Sequence, residues 1–387
     1  MDEAEARERA VEVRSAFQRA FAEVGSAARV YYAGKAFLSI EIARWMTEAG
    51  LNIDVCSGGE LAVALAAGVP AERLGFHGNN KSAAEIDRAV AAGVGALIID
   101  SLQEIDRIAE AAARHGVVQR VRLRVNSGVH AHTHAFLATA HEDQKFGIAL
   151  ADAADAVARI RAHAGLAFLG LHCHIGSQIF GADGFAESAA RLLAVHKELL
   201  AGGDVPELNL GGGFGIAYTA ADDPAPIETL ARSIAETVAA GCEDLDIPFP
   251  AVAFEPGRSI IGTAGLTLYT VGTTKDVTVS AQDDGETAVR RYVSVDGGMS
   301  DNARPALYGA DYSARIAGRA SAAAPALVRV AGKHCESGDI VVWIAKLLNV
   351  ITNASIAPAM IEGAISGIVI VRKVRTGPAP SECAASA

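Results

Sequence analysis

The chain has 387 residues, 51% hydrophobic, 20% charged and 5% aromatic, the make-up of a globular protein with a substantial core rather than a disordered or fibrous one. Its 34 basic and 45 acidic side chains leave a formal charge of −11 with no basic run, which argues against nucleic acid or an anionic membrane as the main partner. Five scattered cysteines (Cys56, Cys173, Cys242, Cys335, Cys383), none in a CxxC pair, exclude a disulfide framework and a zinc ribbon. The acidic start, MDEAEARERA, lacks the basic residues and apolar stretch of a signal peptide, so a reducing, cytoplasmic location is expected.

The first predicted element is a helix opening almost at Met1, with Phe17, Phe21 and Val24 on one face. Beyond it, apolar β-rich runs recur at wide spacing, each followed by an Ala-rich helical pattern. Strands are predicted at 29–34, 51–56, 73–77, 96–100, 118–126, 166–174, 207–211 and 251–255, with helices between them such as 59–67, 83–92 and 102–115. A parallel strand needs a crossover before its neighbour. Eight such units point to a (β/α)8 barrel of the TIM type rather than an open doubly wound sheet. After Gly257 the character changes: GLTLYTVGTTKDVTVS, a polar turn at 283–286 and RRYVSVDGG read as a β domain. The expected division is a barrel over 1–260 and a C-terminal β domain over 261–387. From Ile340 the text shifts again, with Glu362 and Glu382 the only acids in the last 48 residues. This tail is apolar without a clean period, and Lys346, Pro358 and Glu362 interrupt every stretch of about 20 residues that a membrane helix would need.

Functional groups of such a barrel gather at the C-terminal ends of its strands. The predicted ends carry Lys35, then Asp54 and Cys56, then His77, Asn79 and Asn80, then Arg124 and Asn126, then His172, His174, Ser177 and Gln178, then Asn209 with Gly211, Gly212 and Gly213, and last Glu255 and Arg258. Each has a plain structural reading. Lys35 suits a solvated loop, the triple glycine a tight turn, Glu255 and Arg258 a local ion pair, and His172 a core position. His130, His132 and His134 suit an exposed loop. The functional reading unites more of them. Backbone N–H groups of Gly211, Gly212 and Gly213, opening a helix, suit a phosphate, with Ser177 and Arg258 beside them. A carboxylate at Glu255 suits a pyridinium N–H, Lys35 an aldehyde, and His174 a ring face; together they call for pyridoxal 5′-phosphate.

Nine segments, in order, then carry a resemblance: YYAGKAF (31–37), LNIDVCSGGEL (51–61), FHGNNKS (76–82), AHTHAFLATAHEDQKFG (131–147), HCHIGSQ (172–178), LNLGGGFG (208–215), FEPGRSI (254–260), DGGMSDNARPALYGA (296–310) and HCESGD (334–339). The chain resembles the meso-diaminopimelate decarboxylases, of the alanine-racemase-like fold type of pyridoxal enzymes. The resemblance implies a cofactor-binding barrel plus a β domain, in a homodimer with shared active sites. It makes Lys35 the lysine that joins the cofactor aldehyde, His174 the residue stacked on the ring, and Glu255 the partner of the ring nitrogen. Asp54 falls near Lys35. Ser177, Gly211, Gly212, Gly213 and Arg258 fall at phosphate or substrate, and Arg304 and Tyr308 at the substrate's distal carboxylate. Cys335 and Glu336 fall where the partner subunit reaches over the cofactor. The implied reaction removes the carboxylate at the D-centre of meso-diaminopimelate as CO2 and leaves L-lysine, the last step of lysine biosynthesis.

Two departures accompany it. The segment that normally supplies a β-domain strand before the first helix is missing, and after Asp339 no Gly-Ala-Tyr motif follows. The tail reads as the product of a shifted reading frame or a truncated gene model, so unpaired strand edges and weak decarboxylase activity are expected. Three alternatives stay open: a catalytically impaired or non-catalytic relative that still binds the cofactor, a metal-dependent hydrolase barrel using His172 and His174 with His130, His132 and His134, and a decarboxylase acting on arginine or a polyamine precursor.

Overall fold

Helix α1 (Glu3–Glu23) starts where Asp2 caps it, its carboxylate accepting the Glu5 N–H, with Glu3 and Glu5 favourably placed in the first turn. Ala6, Ala10, Val13, Phe17 and Phe21 form its buried face, and Phe17 stacks on Phe254 with ring centroids 4.0 Å apart. This is a computed structural model, and it describes residues 1–129, 145–218, 222–280, 287–317, 326–347 and 367–371. His130, His132 and His134 lie outside the described residues, as does the tail at 348–366 and 372–387.

The chain divides into two compact units, Asp2–Ile216 with Asp223–Ala264, and Met1 with Ala217–Asp222 and Gly265–Ala387. In the first unit, eight parallel strands close on themselves. They are β1 (Ala28–Ala33), β2 (Asn52–Val55), β3 (Leu74–Phe76), β4 (Ala96–Ile99), β5 (Gln119–Asn126), β7 (Leu166–His172), β8 (Glu207–Asn209) and β9 (Ala251–Phe254). Each pairs with the next, β5 with β7, and β9 returns to β1, so the sheet is a barrel and not an open sheet. A two-residue strand, β6 (Ile148–Ala149), adds to the outer end of β5. The strands are nearly continuous apolar runs because a helix covers one face and the barrel interior the other. Helix ends follow local chemistry: Ser82 and Glu85 form a capping box at the start of α4 (Ala83–Ala92), and Gly93 ends it at φ 76°.

The barrel interior is not wholly apolar. Arg122 of β5 donates through Nε and Nη2 to Glu207 Oε2 of β8, at 3.0 and 2.7 Å, and through Nη2 to the Tyr31 hydroxyl of β1 at 2.9 Å. Neither β8 nor β1 neighbours β5 in the sheet, so these bonds cross the interior. Arg29 closes on the other Glu207 oxygen.

Among the described residues the second unit is a curled six-stranded sheet in the order β12 (Ser313–Ala317), β15 (Gly367–Val371), β10 (Leu266–Ser280), β11 (Thr287–Val295), β13 (Ala326–Ala331), β14 (Ile340–Leu347). Strand β10 serves two neighbours: Leu266 to Thr270 pair with β15, and beyond a register shift between Val271 and Thr274 it pairs with β11. Strands β12, β13 and β14 complete it, around Tyr269, Val293, Val295, Tyr312, Val328, Val330, Val341 and Val342. The tail, expected to leave edges unpaired, enters the sheet where it is described, with β12 and β14 last at either end of the strand order. β14 pairs with β13, and β15 lies between β10 and β12, because each piece alternates or runs apolar at strand length.

Candidate active site

Strands of a parallel barrel end on one rim, and the polar residues read from the sequence collect there. Lys35 follows β1 in a short turn, Gly34–Ala36, and is exposed. The turn is pinned by the Tyr32 hydroxyl donating to the Phe37 carbonyl at 2.6 Å. Gly34 presses on β2 so closely that a Cβ there would lie 2.8 Å from the Asp54 carbonyl oxygen.

Inside the rim, five strands deliver one polar cluster. Glu255, just beyond β9, receives Asn209 Nδ2 from β8 at 2.7 Å and His172 Nε2 from β7 at 3.1 Å. His77, just beyond β3, places Nε2 3.4 Å from Glu255 Oε1 and 3.3 Å from Asp54 Oδ1. Both Asp54 oxygens are buried without a hydrogen-bond partner, and the carboxylate fits only because β3 carries Gly75 opposite: a Cβ there would lie 2.3 Å from Asp54 Oδ1. Burial, with Glu255 next, pushes the Asp54 carboxyl up to about 6. Burial opposes charge on His77 too, but Glu255 and Asp54 outweigh it and push the ring up to about 9. Burial pulls His172 down to about 4. At neutral pH His172 is therefore uncharged and donates Nε2–H to a carboxylate that can only accept. Burial opposes ionisation of Glu255 as well, yet the two histidines hold it well below the usual carboxylate range.

His174, read as the ring-stacking residue, lies just past β7. Its Nδ1 accepts the Gly212 N–H at 3.3 Å, which leaves the proton on Nε2. Burial, then Lys35 and Arg124, pull it down to about 3, so the ring is a neutral plate. The glycine run departs from the expected geometry. It opens no helix, since α8 (Ile227–Leu245) begins well beyond it, and two of its amides are used locally, Gly211 N–H by Asn209 Oδ1 at 2.8 Å and Gly212 N–H by His174. The glycines are required by close approach: a Cβ on Gly212 would lie 2.0 Å from the Glu255 carbonyl oxygen, and one on Gly213, at φ 105°, 2.2 Å from the Gly176 carbonyl oxygen. Arg258 Nη2 donates to Ser177 Oγ at 3.1 Å. Gln178, at φ 64°, holds this corner by bonding both the N–H and the carbonyl of Ile216.

In the second unit, Arg304 and Tyr308 lie on α10 (Arg304–Tyr308). The guanidinium lies 5.6 Å from the Tyr308 ring and 5.6 Å from that of Tyr218, a residue the sequence reading did not single out. Tyr218 belongs by sequence to the loop after β8 but by contact to this unit. Cys335 and Glu336 are exposed on the turn between β13 and β14, where Glu336 bonds locally to Ser337 and the Gly338 N–H. The buried Asp339 carboxylate ties that turn to the 296–310 segment, accepting Met299 N–H at 2.6 Å and His334 N–H at 2.7 Å.

The rim fits pyridoxal phosphate. A carboxylate offers about four lone-pair sites. Asn209 hydrogen-bonds to Glu255 Oε1 and His172 to Oε2, and His77 lies 3.4 Å from Oε1, so a lone-pair position on Oε2 suits a ring N–H. The Gly213 N–H has no partner among the described residues, and with Ser177 and Arg258 it suits a phosphate. His77, His172 and Glu255 also present ligand atoms within 4.8 Å of one another. The metal-site reading calls for His172 with His174, but His174 spends Nδ1 on the Gly212 N–H and stands outside that cluster.

The buried histidines set an acid limit on stability. His172 and His196, both 1% exposed, are held near 4 against about 6.5 unfolded, so the unfolded chain takes up their protons first. Their contribution is complete above about pH 6.5 and lost as pH falls toward 4, by about 2 kcal/mol each at pH 5. The raised Asp54 and His77 have the opposite sign and offset part of this. Urea midpoints should therefore fall between pH 7 and 5, and His196→Gln should flatten the fall; a profile flat to pH 5 would contradict it.

The barrel has been matched elsewhere. A family model described as pyridoxal-dependent decarboxylase, pyridoxal binding domain, matches residues 10–262. A Mycobacterium tuberculosis protein named diaminopimelate decarboxylase is 50% identical over 355 residues, spanning 89% of this chain and 77% of that protein. A Bacillus subtilis protein of the same name is 43% identical over 331 residues, spanning 84% and 73%. The crystal structure of diaminopimelate decarboxylase from M. jannaschii superposes with a TM-score of 0.82 at 29% identity, covering 96% of this chain and 80% of that one. That from Helicobacter pylori, complexed with L-lysine, does so at 0.78 and 26% identity, covering 96% and 84%.

Proposed function

The chain belongs to the pyridoxal-dependent decarboxylases, and within them to the diaminopimelate decarboxylases, and on that premise we propose that it removes CO2 from the D-centre of meso-2,6-diaminopimelate to give L-lysine. The observation that carries the reading is the Glu255 carboxylate at the C-terminal end of β9, hydrogen-bonded by Asn209 and His172 and held toward its ionised form by His172 and His77. The non-catalytic alternative is not favoured, because relatives spanning 89% of the chain carry the decarboxylase name.

Bound at this rim, pyridoxal phosphate supplies an electron sink for the pair released when the carboxylate departs. Lys35 would hold its aldehyde end through the side-chain amine. Glu255 would accept the ring N–H and keep a proton there. His174 would lie against a ring face, and its neutral state would avoid placing a cation against a cationic ring. Gly213 N–H, Ser177 and Arg258 take the phosphate, with Gly211 and Gly212 shaping the floor. Arg304 and Tyr308 grip the distal carboxylate. Cys335 returns a proton to the α-carbon, and Glu336 binds the remaining substrate amine, both reaching a neighbouring copy's site in a homodimer. Leu307 and Tyr308, 67% and 70% exposed, support an interface at this surface. The location in this reading is the cytoplasm. Among the described residues no helix is long and apolar enough to cross a membrane.

The test is CO2 release from meso-diaminopimelate by the purified chain supplied with the cofactor. Arginine and ornithine should be poor substrates, because each lacks the distal carboxylate that the Arg304 fork engages. Arg304→Lys should cost about 1–3 kcal/mol in kcat/KM for diaminopimelate with cofactor absorbance retained. Equal loss of both would make Arg304 structural.

A further inference from the structure

His77 is the one member of the rim cluster that touches both carboxylates. Its Nε2 lies 3.3 Å from Asp54 Oδ1 and 3.4 Å from Glu255 Oε1, distances of an ion pair shared between two acceptors rather than of a hydrogen bond given to one. Its backbone is fixed, the His77 N–H extending the ladder to the Val55 carbonyl at 2.8 Å, and its ring meets that of His172 edge-on at 5.1 Å. Two buried carboxylates on either side of one ring repel, and one of them would take up a proton if nothing lay between them.

We propose that His77 is a positioning residue for the nitrogen end of the cofactor, a cationic bridge that keeps Glu255 ionised and aimed while Asp54 stays beside it. With His77 protonated, Asp54 and Glu255 leave a floor of net charge −1, the complement of one ring N–H cation. Without it the floor is −2, and a proton shared between the two carboxylates would compete with the ring N–H for Glu255. The groups facing His77 are Asp54 from β2, Glu255 from β9 and the neutral His172 from β7. Arg122 acts on Asp54, and Lys35 and Arg124 act on His174. Lys81 is turned away, its amine held by Glu104 and the Gly78 and Ile98 carbonyls. The ring is held near pH 9, so the bridge persists through neutral pH.

The inference rests on Glu255 as the partner of the cofactor nitrogen, and two measurements separate the two ideas. Histidine-ring NMR on the full chain without cofactor should show one imidazole that stays protonated past pH 8. A chain in which every histidine titrates below pH 8 overturns the bridge whatever Glu255 does. In the cofactor-loaded chain, His77→Gln keeps a donor but removes the charge. It should move the pH midpoint of the cofactor absorbance by about one unit or more, lower kcat roughly tenfold with KM little changed, and be partly restored by adding Asp54→Asn. An unmoved midpoint, or a double variant no better than the single one, overturns the proposal. Glu255→Gln tests the underlying reading alone: an unchanged absorbance profile there would remove the nitrogen partner and leave the histidine titration standing.

Discussion

Borohydride reduction of the cofactor-loaded chain is expected to fix the cofactor to Lys35, and Lys35→Ala to lower turnover by roughly a thousandfold or more. The argument lies in what each lysine of the barrel is free to do. Lys81 is buried and near the same strand ends, and burial lowers its basicity, which would favour a nucleophile. But Gly78 O, Ile98 O and Glu104 Oε2 take its three protons at 2.7, 2.8 and 2.9 Å, so releasing it would break a buried ion pair and two backbone contacts. Lys197 donates to the Leu245 carbonyl, away from the rim, and Lys145 lies against the Phe146 ring. Lys35 alone combines exposure with a place on the rim, where its charge acts on His174. Peptide mapping after reduction is the measurement. A label on Lys81, or full turnover by Lys35→Ala, would overturn the assignment; Lys81→Met should instead lose stability and keep the label.

What the sequence shows of this molecule follows period and local chemistry. All eight barrel strands lie within a few residues of where apolar runs bounded by Gly, Pro and polar clusters place them, because a strand covered on both faces must be apolar throughout. Polar residues at strand ends are legible for the same reason: they interrupt those runs. The partnership of such residues is not legible. Asp54, His77, His172, Asn209 and Glu255 meet only because the sheet closes between β9 and β1, a pairing of residues more than 220 positions apart. The glycine run shows the limit from the other side. Its spacing suits a phosphate cradle, yet Asn209 and His174 use two of its amides, which only the crossing of chain segments reveals. Tyr218 is hidden similarly, since its sequence neighbours are barrel residues and its packing partners are Arg304 and Tyr312. Strand β15 has the reverse history: the abrupt change of composition after Asp339 reads as foreign text, yet Gly367–Val371 is a short apolar run that a sheet accepts at any sequence distance.

Glu207→Ala should be among the most destabilising single substitutions in the barrel, at about 3–5 kcal/mol. Glu207 is 3% exposed and faces Arg122, 1% exposed, across the interior. Burying two charges is costly, and their attraction roughly repays the cost only while both are present. Removing the carboxylate strands a guanidinium that cannot lose its proton, and whose Nη1 already lacks a partner. Arg29 also loses its acceptor, but it lies at the barrel mouth and turns to solvent at little cost. The paired replacement is the sharper experiment. Arg122→Met with Glu207→Leu fills similar volume without charge and should recover most of the loss, landing within about 2 kcal/mol of the parent. The effect should extend to the site. Arg122 also holds the Tyr31 hydroxyl, and Tyr31 lies on β1 four residues before Lys35. Freed of that tie, β1 should let the Lys35 turn move, so the single variant should bind the cofactor more weakly at temperatures where it is still folded, and the double variant should not. Urea unfolding of the three proteins, read beside cofactor affinity, decides the matter. A Glu207→Ala chain within about 1 kcal/mol of the parent would mean that water reaches Arg122 and the interior is not the low-dielectric space these bonds require.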